Sequence, residues 1–87
     1  MKFVKEIIIK NAGVKSSNGI YKRDEGGKTK FECDSKSHIE WTVDGWILWD
    51  YKEDEQTYLF SYDFKECIPI GDAIFPAPSF DLIYSND

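Results

Sequence analysis

Residues 38–62 read HIEWTVDGWILWDYKEDEQTYLFSY, and this stretch decides the fold because it contains all three tryptophans and two turn signals. Asp44-Gly45 is a strong signal for a two-residue hairpin, since the tight turn that matches strand twist needs positive φ at both central residues. The acidic run at 52–56 predicts a second reversal of the chain. The stretch therefore predicts three antiparallel strands.

A turn at Asp44-Gly45 places Val43 opposite Trp46 and Trp41 opposite Leu48. Because successive side chains of a strand point to opposite faces, one face collects eight large side chains. The predicted core face carries Ile39, Trp41, Val43, Trp46, Leu48, Tyr58, Phe60 and Tyr62. Burying them contributes roughly 12–24 kcal/mol before conformational entropy is subtracted. We expect this face to form the core.

The opposite face of the same three strands carries the candidate site. Its predicted partner-binding residues are the apolar Ile47, Trp49 and Leu59 and, around them, Glu40, His38 and Tyr51. One interpretation is that another part of the chain, either 3–9 or 73–84, covers these side chains. The other is that they stay exposed and mark a contact surface with a polar rim.

Further strands are predicted on both sides of this stretch. The β-branched run in 3–10 favours a strand. Residues 20–23 and 29–33 form a hairpin around the loop 24–28, which sets Tyr21 opposite Phe31 on the core face. Residues 63–72 are predicted irregular because Pro69 and Gly71 oppose a regular strand. Residues 79–84 add an edge strand.

These segments predict an all-β domain that spans residues 1–87, a strongly bent antiparallel meander or small barrel of about six or seven short strands. Eighty-seven residues leave room for one core. No apolar run approaches the ~18–20 residues of a membrane span, and charges interrupt the apolar residues of 1–10, unlike a signal peptide. We therefore expect a cytoplasmic protein. Cys33 and Cys67 could form one bridge, but two reduced thiols are expected.

The net charge of −5 is unevenly distributed. Residues 1–30 contain eight basic and three acidic side chains, a balance of +5, whereas 31–87 contain three basic and thirteen acidic ones, a balance of −10. One interpretation is a solvated surface with two differently charged ends. The other is an acidic face that attracts a basic partner or mimics nucleic acid. Direct nucleic-acid binding is disfavoured because it needs a basic surface.

Candidate catalytic and metal-binding residues are few. The single histidine, His38, is predicted to be exposed; it cannot form a two-histidine metal site and has no nucleophile at a recognisable spacing. The acidic group from Asp50 to Glu55 is interpreted as a solvated loop, since it lacks the central glycine of a calcium loop. Glu40 with Asp50 or Asp63 could be a glycosidase pair, but so small a chain lacks a deep cleft. The sequence predicts no enzyme, no cofactor and no metal site.

Several motifs along the chain resemble a widely scattered, mostly uncharacterised small β module. They are Asn18-Gly19-Ile20-Tyr21, Gly45-Trp46-Ile47-Leu48 and Pro76-Ala77-Pro78, which match its Asn-Gly-x-Tyr hairpin, its Gly-Trp-x-Ile strand and its terminal Pro-Ala-Pro. The resembled module is often a repeated or appended unit in larger proteins, which implies an interaction role. It has no assigned catalytic or binding residues that could be carried over.

Two functions remain as hypotheses. The first is a non-catalytic protein-interaction module that uses Trp49, Ile47 and Leu59 as anchors, with acidic side chains at the rim. An inhibitor of a basic or nucleic-acid-binding protein is a sharper version of it. The second is a carbohydrate-binding module that stacks sugars on exposed aromatic rings, with hydrogen bonds from Glu40, His38 or Asp50. The oligomeric state is left open.

Overall fold

The fold is a single antiparallel sheet, seen in a computed structural model that describes residues 3–23 and 29–85. Its strands are β1 (Val4–Lys10), β2 (Gly19–Arg23), β3 (Lys30–Cys33), β4 (His38–Thr42), β5 (Gly45–Asp50), β6 (Glu55–Phe60), β7 (Cys67–Pro69) and β8 (Ser79–Tyr84). The all-β prediction is confirmed, with eight strands in the described residues rather than six or seven. The additional strand is β7, and its Pro69 is tolerated because β7 lies at the edge of the sheet.

The sheet curls into a half-barrel with the order β7-β6-β5-β4-β3-β2-β1-β8. Strands β1 to β7 follow chain order, and the predicted edge strand 79–84 is confirmed as β8, which returns beside β1. The connection 70–78 crosses the inner side of the curl. There Tyr58 donates its hydroxyl to the carbonyl of Ile74 (2.8 Å), and the amide of Gly13 donates to the carbonyl of Pro76 (2.8 Å). This connection therefore helps to close the inner side.

The core fills the inner face of the curl. Its buried apolar members are Ile7, Ile9, Ala12, Tyr21, Phe31, Ile39, Trp46, Leu48, Tyr58, Phe60 and Phe64. Aromatic rings meet edge to face across it, with 5.3 Å between the ring centroids of Phe31 and Trp46. Phe80 of β8 lies 5.3 Å from Phe60 of β6, although five strands separate β8 from β6 in the sheet. The curl thus brings distant strands together around one core.

The turn between β4 and β5 lies one residue earlier than predicted. Its central residues are Val43 and Asp44, so Trp41 pairs with Trp46 instead of Leu48. The shift moves each partner by two residues, which leaves every side chain on its predicted face. Gly45 is the first residue of β5 and lies outside the turn. Its φ is 134°, and an added Cβ there would collide with the carbonyl oxygen of Phe60.

Three residues predicted in the core are exposed at one end of the half-barrel. Trp41 is 48% exposed, Val43 82% and Tyr62 49%. Val43 lies in the turn and Tyr62 beyond the end of β6, so neither has a neighbouring strand above it. The rings of Trp41 and Tyr62 instead pack on each other, 5.9 Å apart and tilted by 42°. The predicted burial of these three side chains was therefore wrong. Their predicted face is right, but the sheet ends before it can cover them.

The β2–β3 hairpin shows the same kind of shift. Tyr21 pairs with Cys33 rather than Phe31, yet Tyr21 and Phe31 are both fully buried on the inner face. The predicted loop 24–28 lies outside the described residues. Both cysteines are free thiols, since Cys33 lies in β3 and Cys67 in β7 with three strands between them. Across 3–23 and 29–85, no helix has the length and apolar composition to cross a membrane.

Candidate functional site

The outer face of β4 to β7 carries a continuous apolar surface. We call it the outer-face patch and define it by His38, Ile47, Trp49, Leu59 and Ile68. Direct cross-strand pairs join Ile47 to Leu59 and Leu59 to Ile68, so these three side chains form one row across three strands. His38 pairs with Trp49 in the adjacent row. The structure therefore brings the predicted anchors together, and it adds Ile68.

Ring contacts hold Trp49 in place. The His38 ring is stacked on the Trp49 ring, with 5.3 Å between centroids and 23° between planes. Tyr51 approaches Trp49 edge to face at 6.1 Å and 72°. His38 is half-buried by this stack, so the prediction of a simply exposed histidine was wrong. The indole is consequently fixed on the outer face, with one of its sides covered by imidazole.

The outer-face patch is not covered by the segments considered for that role. β1 and β8 extend the sheet beyond β2 instead of stacking on its outer face, and the connection 70–78 lies on the inner side. Ile47, Trp49 and Leu59 are half-buried among their neighbours, whereas Ile68 is 54% exposed. Within the part of the chain that the structure describes, this surface has no internal partner.

Acidic side chains lie at the margins of the outer-face patch. Glu40 is exposed and pairs with Ile47, at the end of the apolar row. The turn that follows β6 also carries an acid, because there Ser61 donates its hydroxyl to the Asp63 carboxylate (2.8 Å). This hydrogen bond lowers the pKa of Asp63, so that exposed carboxyl stays ionised at neutral pH. Glu40, a predicted rim residue, therefore has a direct cross-strand neighbour in the outer-face patch.

An open cavity of about 190 Å³ adjoins the outer-face patch. Leu59 and Ile68 belong to both, and the other lining residues are Asp44, Ser61, Glu66 and Cys67. The ion pairs among the described residues are Lys10–Asp81 and Lys30–Glu32, so neither Asp44 nor Glu66 has a basic partner there. Burial raises the pKa of the Cys67 thiol to about 12, which keeps it neutral.

Asp50 is buried, which contradicts its prediction as part of a solvated loop and as a sugar ligand. Its carboxylate accepts hydrogen bonds from the hydroxyls of Ser16 (2.8 Å) and Ser17 (2.7 Å) and from the amide of Glu53 (2.9 Å). These bonds fasten the 3-10 turn Lys15–Ser17 to the end of β5. The strand alternation gave a usable signal, since Asp50 follows Trp46 and Leu48 at even spacing on the inner face.

The carboxylates of Glu40 and Asp50, considered in the sequence as a catalytic pair, lie on different faces of the sheet. Glu40 lies on the outer face and Asp50 is buried within the inner one, so they do not flank a common cleft. Among residues 3–23 and 29–85, no three His, Cys, Asp or Glu side chains gather closely enough to hold a metal ion.

Comparison of the chain with protein-family models, with curated proteins and with solved structures finds no match. The resemblance to the small β module with Asn-Gly-x-Tyr, Gly-Trp-x-Ile and Pro-Ala-Pro motifs stays a prediction. What the chain does must therefore be argued from its own surface.

Proposed function

We propose that this chain is a non-catalytic protein-interaction module that binds a partner through the outer-face patch. The observation that carries the proposal is the uncovered cross-strand row of Ile47, Leu59 and Ile68, beside a fixed Trp49. Apolar side chains grouped on a surface and bordered by polar groups are typical of contact sites. Tryptophan is among the residues that most often dominate binding energy.

Pre-organisation of Trp49 supports the proposal. Ordering a mobile side chain at an interface costs about 0.5–1.5 kcal/mol of binding free energy. The stack with His38 and the edge contact with Tyr51 already restrict the indole in the free protein. Most of that ordering is therefore complete before a partner arrives.

Charge supports a basic partner. Residues 31–87, which include all of the outer-face patch, carry a balance of −10. Glu40 pairs with Ile47, and Glu66 lines the cavity beside Leu59 and Ile68. Such acidic groups steer encounter and set partner choice more than they add affinity. The partner is accordingly a protein with a basic surface, which includes proteins that bind nucleic acid, and the module would act as an inhibitor of such a protein in the cytoplasm.

Affinity capture with matched variants tests the proposal. The baits are the wild-type chain, Trp49→Ala, Ile68→Asp and the control Ile20→Asp. Ile20 lies in β2, 48% exposed, and is therefore as accessible as Ile68 but distant from the outer-face patch. We expect one protein to be retained by the wild-type chain and by Ile20→Asp, to be lost from the two patch variants, and to be released by salt.

Circular dichroism of each bait shows that the sheet is intact before capture. Retention of the same proteins by all four baits would contradict the proposal, because the outer-face patch would then make no difference. Equal loss from Ile20→Asp would contradict it as well, since any new surface charge would then have the same effect.

A carbohydrate-binding module is the second candidate, and the exposed ring pair of Trp41 and Tyr62 favours it. Aromatic side chains present large apolar surfaces with a polar end, which suits stacking on a sugar. Saturable quenching of tryptophan fluorescence by soluble oligosaccharides, abolished in Trp41→Ala, is the expected result for this function. Absence of quenching across a broad oligosaccharide panel removes it.

A further inference from the structure

We infer that the cavity beside the outer-face patch binds one lysine or arginine side chain of the partner. The inference rests on the proposed interaction function and names the chemistry of one partner residue. At about 190 Å³ the cavity is far larger than the ~10–15 Å³ that holds a single water. It therefore has room for a long side chain.

The lining matches the two ends of such a side chain. Leu59 and Ile68 provide apolar surface, while Asp44 and Glu66 provide carboxylates. Lysine and arginine bury an aliphatic stem against apolar groups and keep the charged head among polar ones. Neither carboxylate has a basic partner among the described residues, so both are available to a cation from outside.

Backbone hydrogen bonds fix Glu66 at the cavity. The amide of Glu66 donates to the hydroxyl of Ser61 (3.0 Å), and the amide of Ser61 donates to the carbonyl of Glu66 (3.0 Å). The same hydroxyl accepts from the amide of Lys65 (3.0 Å). The hydroxyl of Ser61 therefore already has hydrogen-bond partners in its own turn. Recognition of the cation depends on the carboxylates of Asp44 and Glu66.

The turn that carries Asp44 is fastened to the same region. The amide of Asp44 donates to the hydroxyl of Thr42 (3.2 Å), and the hydroxyl of Tyr62 donates to the carbonyl of Thr42 (2.8 Å). Tyr62 follows Ser61 in the chain. The two residues after β6 therefore bond to both turns, Tyr62 to the turn that carries Asp44 and Ser61 to the turn that carries Glu66. The backbone of both turns is therefore held in place before a cation binds, which lowers the ordering cost of binding.

The charge of the cavity comes from these two carboxylates. Cys67, which also lines it, is a neutral thiol because burial raises its pKa to about 12. Leu59 and Ile68 continue from the cavity into the outer-face patch. One partner can therefore place apolar side chains on the outer-face patch and an adjacent cationic side chain in the cavity.

The test uses small probes and needs no partner protein. The full chain, labelled with ¹⁵N, is titrated with N-acetyl-arginine methylamide, with N-acetyl-lysine methylamide, and with the neutral N-acetyl-norleucine methylamide. We expect the two cationic probes to shift the amide signals of Asp44, Leu59, Ser61, Glu66 and Ile68 and to saturate, and the neutral probe to bind far more weakly.

Variants identify the carboxylates. Asp44→Asn and Glu66→Gln should each weaken the cationic probes about three- to fivefold, the effect of one exposed ion pair. Asp72→Asn, which changes an exposed acid outside the cavity, should leave the affinity unchanged. Equal binding of the neutral probe, or wild-type affinity in the double variant Asp44→Asn/Glu66→Gln, would overturn the inference.

The two proposals fail separately. If the cationic probes bind at the cavity but capture does not depend on Trp49 and Ile68, the cavity stands and the interaction function falls. If capture depends on those residues and the probes do not bind, the cavity inference alone falls.

Discussion

The imidazole ring of His38 lies stacked on the indole ring of Trp49, with 5.3 Å between their centroids. The two residues are direct cross-strand partners on the outer face of β4 and β5. The stack gives Trp49 an environment that differs from those of the other tryptophans, because Trp46 is buried in the core and Trp41 is exposed at the end of the half-barrel. Each tryptophan therefore has its own environment, and each is expected to respond differently to substitution.

Trp46→Ala should destabilise the protein far more than Trp49→Ala. Removing a buried tryptophan costs about 3–5 kcal/mol of unfolding free energy, and Trp46 also loses its edge contact with Phe31. Trp49 is half-buried on one face only, so we expect roughly half of that loss or less. Urea unfolding measures both. A larger loss for Trp49→Ala would mean that Trp49 belongs to the core and that the outer-face patch is no binding surface.

Asp50→Ala should be among the most damaging single changes. It would remove the acceptor of the buried hydroxyl of Ser17, of the partly buried hydroxyl of Ser16 and of the amide of Glu53. Each buried polar group left without its partner costs about 1–3 kcal/mol of unfolding free energy. The matched control is Glu53→Gln, which keeps the backbone amide and should change the stability by less than about 0.5 kcal/mol. Thermal unfolding that shows equal midpoints for the two variants would contradict this role.

The variants Gly45→Ala and Gly71→Ala compare the effect of a steric collision with the effect of backbone strain on the melting temperature. Both glycines have positive φ, which strains an alanine at either position. At Gly71, whose φ of 59° is left-handed α, that strain is about 1–2 kcal/mol. At Gly45 the added Cβ would also collide with the carbonyl of Phe60, whereas at Gly71 the nearest atom is 3.4 Å away. Gly45→Ala should therefore show clearly the lower melting temperature. Equal melting temperatures would mean that β5 and β6 do not approach as closely as described.

Cys67 should react very slowly with iodoacetamide in the folded protein. Only the thiolate is nucleophilic, and burial raises the pKa of Cys67 to about 12. At pH 8 the thiolate fraction is then about three orders of magnitude below that of a thiol with the ordinary pKa near 8.5. The rate should rise about tenfold per pH unit towards pH 10. Measurement in a Cys33→Ser background isolates this thiol.

The control for Cys67 is the same variant unfolded in guanidinium chloride, where the thiol should regain its ordinary reactivity. A folded rate equal to the unfolded one would show that Cys67 is not buried against the core.

Sequence alternation predicted the faces of the sheet better than its register. In both hairpins the pairing differs from the prediction by two residues, as for Trp41 with Trp46 and for Tyr21 with Cys33. An even shift keeps every side chain on its face, so the inner and outer sets survive. In the observed β4–β5 register Gly45 lies against the carbonyl oxygen of Phe60, a residue far along the chain, and turn propensity does not report such a contact.

Other features depend on where the sheet ends and on distant partners. Trp41 lies near the end of β4 and Tyr62 lies beyond the end of β6, so these two aromatic side chains stay exposed at the end of the sheet. Ile68 joins the outer-face patch because a three-residue strand forms beside β6, where Pro69 argued against one. Ser17 and Asp50 meet across 33 residues of sequence, and no local pattern announces such a contact.

The central claim is that a partner binds the outer face of β4 to β7. Site-specific photo-crosslinking in cells of the source organism tests it most directly, with p-benzoylphenylalanine in place of Ile68 or, as the control, of Ile20. Both side chains are about half exposed, but only Ile68 belongs to the outer-face patch. We predict a discrete adduct with a protein of basic surface from position 68 and none from position 20. The same adduct from both positions, or no adduct from position 68, would contradict the claim.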